Sequence, residues 1–162
     1  MSLVTISALL LAPAPAAPPA PSAWSATVTD EARGAVEIAA TAKDGTTRFV
    51  GSCQKEAQPG ISGTFTDYRG TGLRTDGQVE HVAFYARGEG WQDAFAVQLR
   101  YAAAVQGWVF AKPLSPIFLS SFSRGGTLAV VNSRNEEVLT FDLTGSTAAT
   151  RVMRTVCGLP SS

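Results

Sequence analysis

Lysine is scarce in this chain, with only Lys43, Lys55 and Lys112, and histidine is reduced to His81. There are two cysteines, Cys53 and Cys157. Acidic and basic residues balance at 13 each, so no excess charge of either sign is present. That balance removes the electrostatic reason to expect nucleic acid or an anionic membrane as a partner. Two cysteines and one histidine are too few ligands for a closed zinc site. No C-x-x-C pair exists, so a dithiol redox centre has no motif to rest on.

Long hydrophobic runs are also missing. The longest is Leu3 to Ala12, LVTISALLLA. As a helix, ten residues span about 15 Å, roughly half a bilayer core. The run is too short for a transmembrane anchor and suits the hydrophobic region of a signal peptide. Ala14-Pro15-Ala16 then has the A-x-A form of a cleavage site. No Lys or Arg precedes the run, and no cysteine follows it to carry a lipid. Pro13 to Ser22 is nearly all Pro and Ala, which builds neither helix nor ladder. Residues 1–22 are therefore expected to be a signal peptide and leader, and residues 23–162 a single β-rich domain, periplasmic or secreted. Hydrophobic residues make up 45% of the chain, enough for a globular core.

From Trp24 onward short strands alternate with turns. Ala35 to Thr41 and Thr46 to Cys53 flank Lys43-Asp44-Gly45, a hairpin signal. Trp24–Thr29, Ile61–Tyr68, Val79–Tyr85 and Ala94–Tyr101 read as further strands. Gly107 to Lys112 reads as a short edge piece ended by Pro113, and Arg69 to Gln78 as a loop. Ser115-Pro116 before Ile117–Arg124, closed by Gly125-Gly126, predicts a short helix. Thr127–Asn132 and Glu137–Leu143 are strands. After Gly145, Ala149, Val152, Met153 and Val156 form the apolar stripe of an amphipathic helix. Ser146 is its expected N-cap and Gly158 its C-terminal stop. The fold class is mainly β: an antiparallel β-sandwich or half-barrel with a short helix and a C-terminal amphipathic helix.

An even cysteine count behind an export signal favours a disulfide between Cys53 and Cys157, 104 positions apart. Chain entropy assigns a loop of that size about 4 to 5 kcal/mol. That is substantial beside a typical total of about 5 to 15 kcal/mol.

Catalytic constellations are harder to find. His81 would need both a serine and an acid nearby, and no G-x-S-x-G elbow exists. The carboxylates Asp67, Asp76, Glu80, Glu89, Asp93 and Asp142 could supply a hydrolytic pair, but nothing singles out two of them. Gly70-Thr-Gly72 lacks the helix and Lys-Ser/Thr of a phosphate cradle. The reading assigns no catalytic residue, metal or cofactor. Aromatic residues on loops are the better lead for binding: Trp91 in Gly88–Asp93, joined by Tyr68 and Arg69, forms a candidate partner surface.

The ending, FLSSFSRGGTLAVVNSRNEEVLTFDLTGSTAATRVMRTVC from Phe118 to Cys157, resembles that of periplasmic accessory proteins associated with type VI secretion. Phe141-Asp-Leu-Thr-Gly145, Ala148-Ala149 and Cys157 carry the likeness. Invasion-associated locus B proteins have a similar strand–Gly–helix ending. The resemblance implies a secreted β-rich domain with a Cys–Cys pair that acts without catalysis. The expected role is an exported non-enzymatic binding or accessory protein of the bacterial cell envelope, with another envelope protein as partner. The alternatives are an inhibitor of a cell-wall lytic enzyme and a small secreted hydrolase.

Overall fold

The computed structural model describes residues 23–55, 60–70 and 74–160. The expected leader, residues 1–22, lies outside them. Among the described residues nine strands form one antiparallel sheet: β1 (Ser25–Asp30), β2 (Ala35–Thr41), β3 (Arg48–Gln54), β4 (Ser62–Thr66), β5 (Val79–Gly88), β6 (Trp91–Ala102), β7 (Gly107–Phe110), β8 (Thr127–Asn132) and β9 (Glu137–Asp142). Two helices complete it, α1 (Phe118–Arg124) and α2 (Ser146–Cys157). Mainly β with these two helices is the class the residue pattern predicts.

The strand order is β1-β2-β3-β4-β7-β6-β5-β8-β9. A four-strand meander runs from β1 to β4. The next meander, β5 to β7, is laid down in reverse, so β7 docks on β4 over Thr64–Thr66. β5 is then left to pair with β8. The β2–β3 hairpin closes where the sequence predicts, with Thr41 opposite Arg48. Asp44 organises its turn by accepting from the amides of Thr46 and Thr47 at 2.9 Å each. Gly45 there takes a φ of 73°.

The sheet curls without closing into a barrel. Lys43 donates its amide to Thr140 at 2.8 Å, and Trp24 to Thr144 at 2.9 Å, drawing the two ends together. Aromatic rings fill the hollow. Trp24 meets Phe122 edge-on at 4.6 Å and Phe49 at 5.4 Å, and Phe65 contacts Phe49, Phe84 and Phe141. Phe118, Leu119 and Phe122 of α1 and Met153 of α2 close the open side. Burial of each such side chain contributes about 1.5 to 3 kcal/mol. Among the described residues no helix is long and apolar enough to cross a membrane.

Three local expectations are corrected. The segment from Gly107 is not an edge piece: β7 lies inside the sheet, because its backbone pairs with β4 over Gly107–Val109 on one side and with β6 over Gly107–Phe110 on the other. The N-cap of α2 is Gly145, not Ser146. Gly145 sits at φ 85°, and a Cβ there would lie 2.5 Å from the Trp24 carbonyl oxygen. Ser146 becomes the first helical residue and is buried. The buried stripe of α2 is also turned from the expected one: Ser146, Ala149, Thr150, Met153 and Cys157 are buried, while Val152 and Val156 are half-buried. The docking of α1 on the Thr147–Thr150 side explains the rotation, with Thr147 Oγ1 donating to the Ser123 carbonyl at 2.6 Å.

Candidate functional site

Cys53 ends the inward-facing series of β3 and Cys157 is the last residue of α2. The two form a disulfide with 6.1 Å between Cα atoms. Both are buried. The bond ties the far end of the helix to the sheet, as the sequence reading expects.

The three residues grouped as a partner surface are not brought together. Trp91 opens β6 and pairs with Gly88 at the β5–β6 turn. Its indole lies flat over Gly88, where a Cβ would meet Nε1 at 2.1 Å. The Arg124 guanidinium stacks above the ring at 4.4 Å. Tyr68 sits near the other end of β5, beside Glu80, eight residues from Gly88. At about 3.3 Å per residue that is roughly 26 Å away along the strand. Tyr68 is 5% exposed, whereas Arg69 next to it is exposed.

Tyr68 turns inward because Asp67 adopts a φ of 61°. Ile61, Gly63 and Phe65 face the core by alternation, and the left-handed residue resets the parity so that Tyr68 follows them. Its hydroxyl donates to Glu80 Oε1 at 3.0 Å. Burial pushes the Tyr68 phenol upward from its ordinary value, and the Glu80 charge pushes it further. Glu80 is 5% exposed and shares the inner face of β5 with Val82 and Phe84. Its Oε2 and the Trp108 Nε1 have no hydrogen-bond partner among the described residues. Gly70 closes over both: a Cβ there would lie 2.5 Å from Glu80 Oε2 and 2.9 Å from the Trp108 ring.

His81 faces the other way, on the outer surface. It borders a shallow cleft with Gln98, Lys112 and Pro113, and among the described residues no serine or carboxylate lines that cleft. Asp93, one of the candidate carboxylates, lies beneath α1. It accepts from Ser121 Oγ at 2.6 Å and from Arg124 at 2.9 Å. The Ser121 hydroxyl, then Arg124, hold its carboxyl below the usual range. Asp142 is held low chiefly by the Thr144 hydroxyl and amide. Among the described residues no group of three or more His, Cys, Asp or Glu is placed to hold a metal ion.

The helices carry a feature the sequence reading did not single out. Ser123, Thr147, Thr150, Arg151, Arg154 and Thr155 line a groove of about 320 Å³ between α1 and α2. Arg154 is fixed by donating to Ser120 Oγ at 2.8 Å. Thr150 is 3% exposed, yet its Oγ1 has no partner among the described residues. The signal was present in the chain: no Asp or Glu occurs after Asp142, and Thr147, Arg151 and Arg154 recur at i, i+4 and i+7.

These features define a class: a mainly β protein with one curled antiparallel sheet, two helices across its open side, and a disulfide from sheet to helix. Comparisons with protein-family models, curated proteins and solved structures give no match for this chain.

Proposed function

We propose that this chain is an exported binding or accessory module of the bacterial cell envelope, working beside another envelope protein and not as a catalyst. The observation that carries this reading is the buried Cys53–Cys157 disulfide. Such bonds persist in oxidising compartments and are rare where thiols are kept reduced. The apolar run from Leu3 to Ala12 and the small residues after it support export. The strand–Gly–helix ending at Cys157 adds its resemblance to periplasmic accessory proteins. The disulfide fixes α2 against β3, which gives the helical side a rigid frame for recognition.

The test is to express the full chain with its own leader, crosslink in intact cells and identify what is captured from the envelope. Reproducible capture of one envelope protein, abolished by surface substitutions on the helical side, is the expected result. Hydrolase activity lost on His81→Ala, with no partner captured, would overturn the reading. Inhibition of a lysozyme by the purified protein would assign the partner as a lytic enzyme.

A further inference from the structure

We propose that two copies of this chain pair through the free edge of β6, antiparallel across a two-fold axis at Ala94. The inference goes beyond the envelope reading and does not depend on it, because self-association is measured on purified protein.

β6 outruns its neighbour. It spans Trp91–Ala102, but β7 covers it only from Leu99 to Ala102. One further bond joins this side, from the Ala111 amide to the Gln98 carbonyl at 2.8 Å. The chain then turns off to bridge Leu114 to Ile61, and a cleft of about 350 Å³ opens between Ala96–Gln98 and Lys112–Leu114. Among the described residues no strand pairs with Trp91–Val97 on this side. The direction of the backbone groups follows by alternation. The Tyr101 amide and carbonyl bond to Gln78 and Gly77, on the β5 side, whereas the Gln98 carbonyl faces Ala111. Gln92, Ala94 and Ala96 share the parity of Gln98, and the β5–β6 ladder runs without a register shift. Their N–H and C=O groups therefore point out of the open edge.

Such an edge is a template for another strand, and native sheets blunt it with Lys, Pro or a bulge. The outer strands of this sheet are managed: β1 carries a bulge between Val28 and Asp30, and Thr140 of β9 accepts from the Lys43 amide. The open stretch of β6 has no such device. Gln92, Ala94 and Ala96 are exposed and uncharged. Beneath them Phe95 is half-buried and meets Phe118 edge-on at 5.3 Å, and Ile117, next in the chain, is 63% exposed.

Self-pairing fits this edge in one register. Gln92 opposite Gln98 of the second copy would collide with Ala111, which already fills that place. Gln92 opposite Ala94 of the second copy would set Asp93 against its own counterpart, and like charges directly opposite are unfavourable. With Ala94 opposite its counterpart, Gln92 faces Ala96 and Asp93 faces Phe95. Each of the outward-pointing pairs then exchanges two main-chain hydrogen bonds. The same register carries the Glu89–Gly90 turn of each copy up to Ala111 and Lys112 of the other, so opposite charges meet. A net charge of zero adds no long-range repulsion between copies.

The experiment is sedimentation equilibrium of the oxidised full chain over a range of concentrations. A reversible monomer–dimer equilibrium is expected. Ala94→Lys and Ala94→Glu should each weaken the dimer at least about tenfold, because each sets like charges together at the two-fold axis. An equimolar mixture of the two should restore it, with Glu opposite Lys. Amide exchange should slow at Ala94 and Ala96 as concentration rises, while Phe95 and Val97, already bonded to β5, stay unchanged. Ala94→Pro removes an amide that the monomer does not use, so it should abolish the dimer and leave the thermal midpoint of the dilute protein in place. A monomer at every concentration would overturn the proposal, including one whose β6 edge instead captures an extended peptide. A dimer indifferent to Ala94→Lys and Ala94→Glu would overturn the edge as the interface. Failure of the mixture to restore the dimer would overturn the register.

Discussion

Tyr68 Oη and Glu80 Oε1 lie 3.0 Å apart inside the sheet, twelve positions apart in sequence and both buried. This bond satisfies one carboxylate oxygen of a residue that would otherwise be an orphan in the core. Tyr68→Phe removes the donor and leaves both Glu80 oxygens unpaired. The expected loss is about 1 to 3 kcal/mol in urea unfolding. Glu80→Gln in the same background should recover part of it, because the uncharged amide is less costly to bury. Equal stability of wild type and Tyr68→Phe would show that the bond contributes nothing.

Alkaline pH probes the same pair. Burial and the Glu80 charge raise the Tyr68 phenol above its ordinary 10.0. The folded state therefore keeps the proton where the unfolded state releases it. The resulting stability is fully present below pH 10 and declines as pH rises beyond it. Ultraviolet titration should show one tyrosine that ionises only as the protein unfolds, and that signal should vanish in Tyr68→Phe.

Acid acts on the surface instead. Asp93, Glu136, Glu137 and Asp142 all have carboxyls held low, led respectively by hydrogen bonds from Ser121, Asn132, Thr140 and Thr144. For a depressed carboxyl the stabilisation is present above the unfolded value, 3.8 for Asp and 4.5 for Glu, and is lost as pH falls through the folded one. Stability should thus decline below about pH 4.5. These groups are screened by solvent, so the decline should be shallow and salt-dependent. A rise in stability on acidification would contradict the assignment.

Gly145 combines a left-handed φ with a backbone carbonyl where a side chain would start. Alanine there must adopt φ 85° and place Cβ 2.5 Å from the Trp24 carbonyl oxygen. Strain and overpacking together should cost about 2 to 4 kcal/mol in the urea midpoint analysis. Ser146→Ala, by contrast, removes no side-chain cap, because none is made at the α2 N-terminus.

Much of this architecture was legible because local signals agreed with it. Asp44-Gly45 fixed the β2–β3 hairpin, Gly158 ended α2 at φ 65°, and alternation marked β5 and β6. What escaped is what depends on distant parts of the chain. No local feature says that β7 docks on β4, since that follows from the reversed order of the second meander. The inward turn of Tyr68 hangs on a single left-handed residue, Asp67, and aspartate also populates ordinary loops. Glu80 could have been found, because it shares parity with Val82 and Phe84, but a carboxylate on that face is an uncommon choice. Trp91 looked like a projecting anchor from its Gly-rich turn, and Gly88 instead gives its ring a place to lie. The α1–α2 groove arises only when two helices distant in sequence dock.

The disulfide should act on α2 before it acts on the sheet. In Cys157→Ser the helix loses its far anchor, while the β5–β6 and β5–β8 ladders are untouched. Amide exchange should show protection falling first across Ser146–Cys157, with a global loss of about 2 to 5 kcal/mol. A uniform fall over all strands would contradict a helix-specific role.

The central claim, an exported module held by Cys53–Cys157, is tested most directly by intact-mass analysis of the chain expressed with its own leader. Periplasmic or secreted material, alkylated without reduction, should be shortened near residues 16–22 and carry no alkyl adduct. Uncleaved protein confined to the cytoplasm, with both cysteines alkylated, would contradict it.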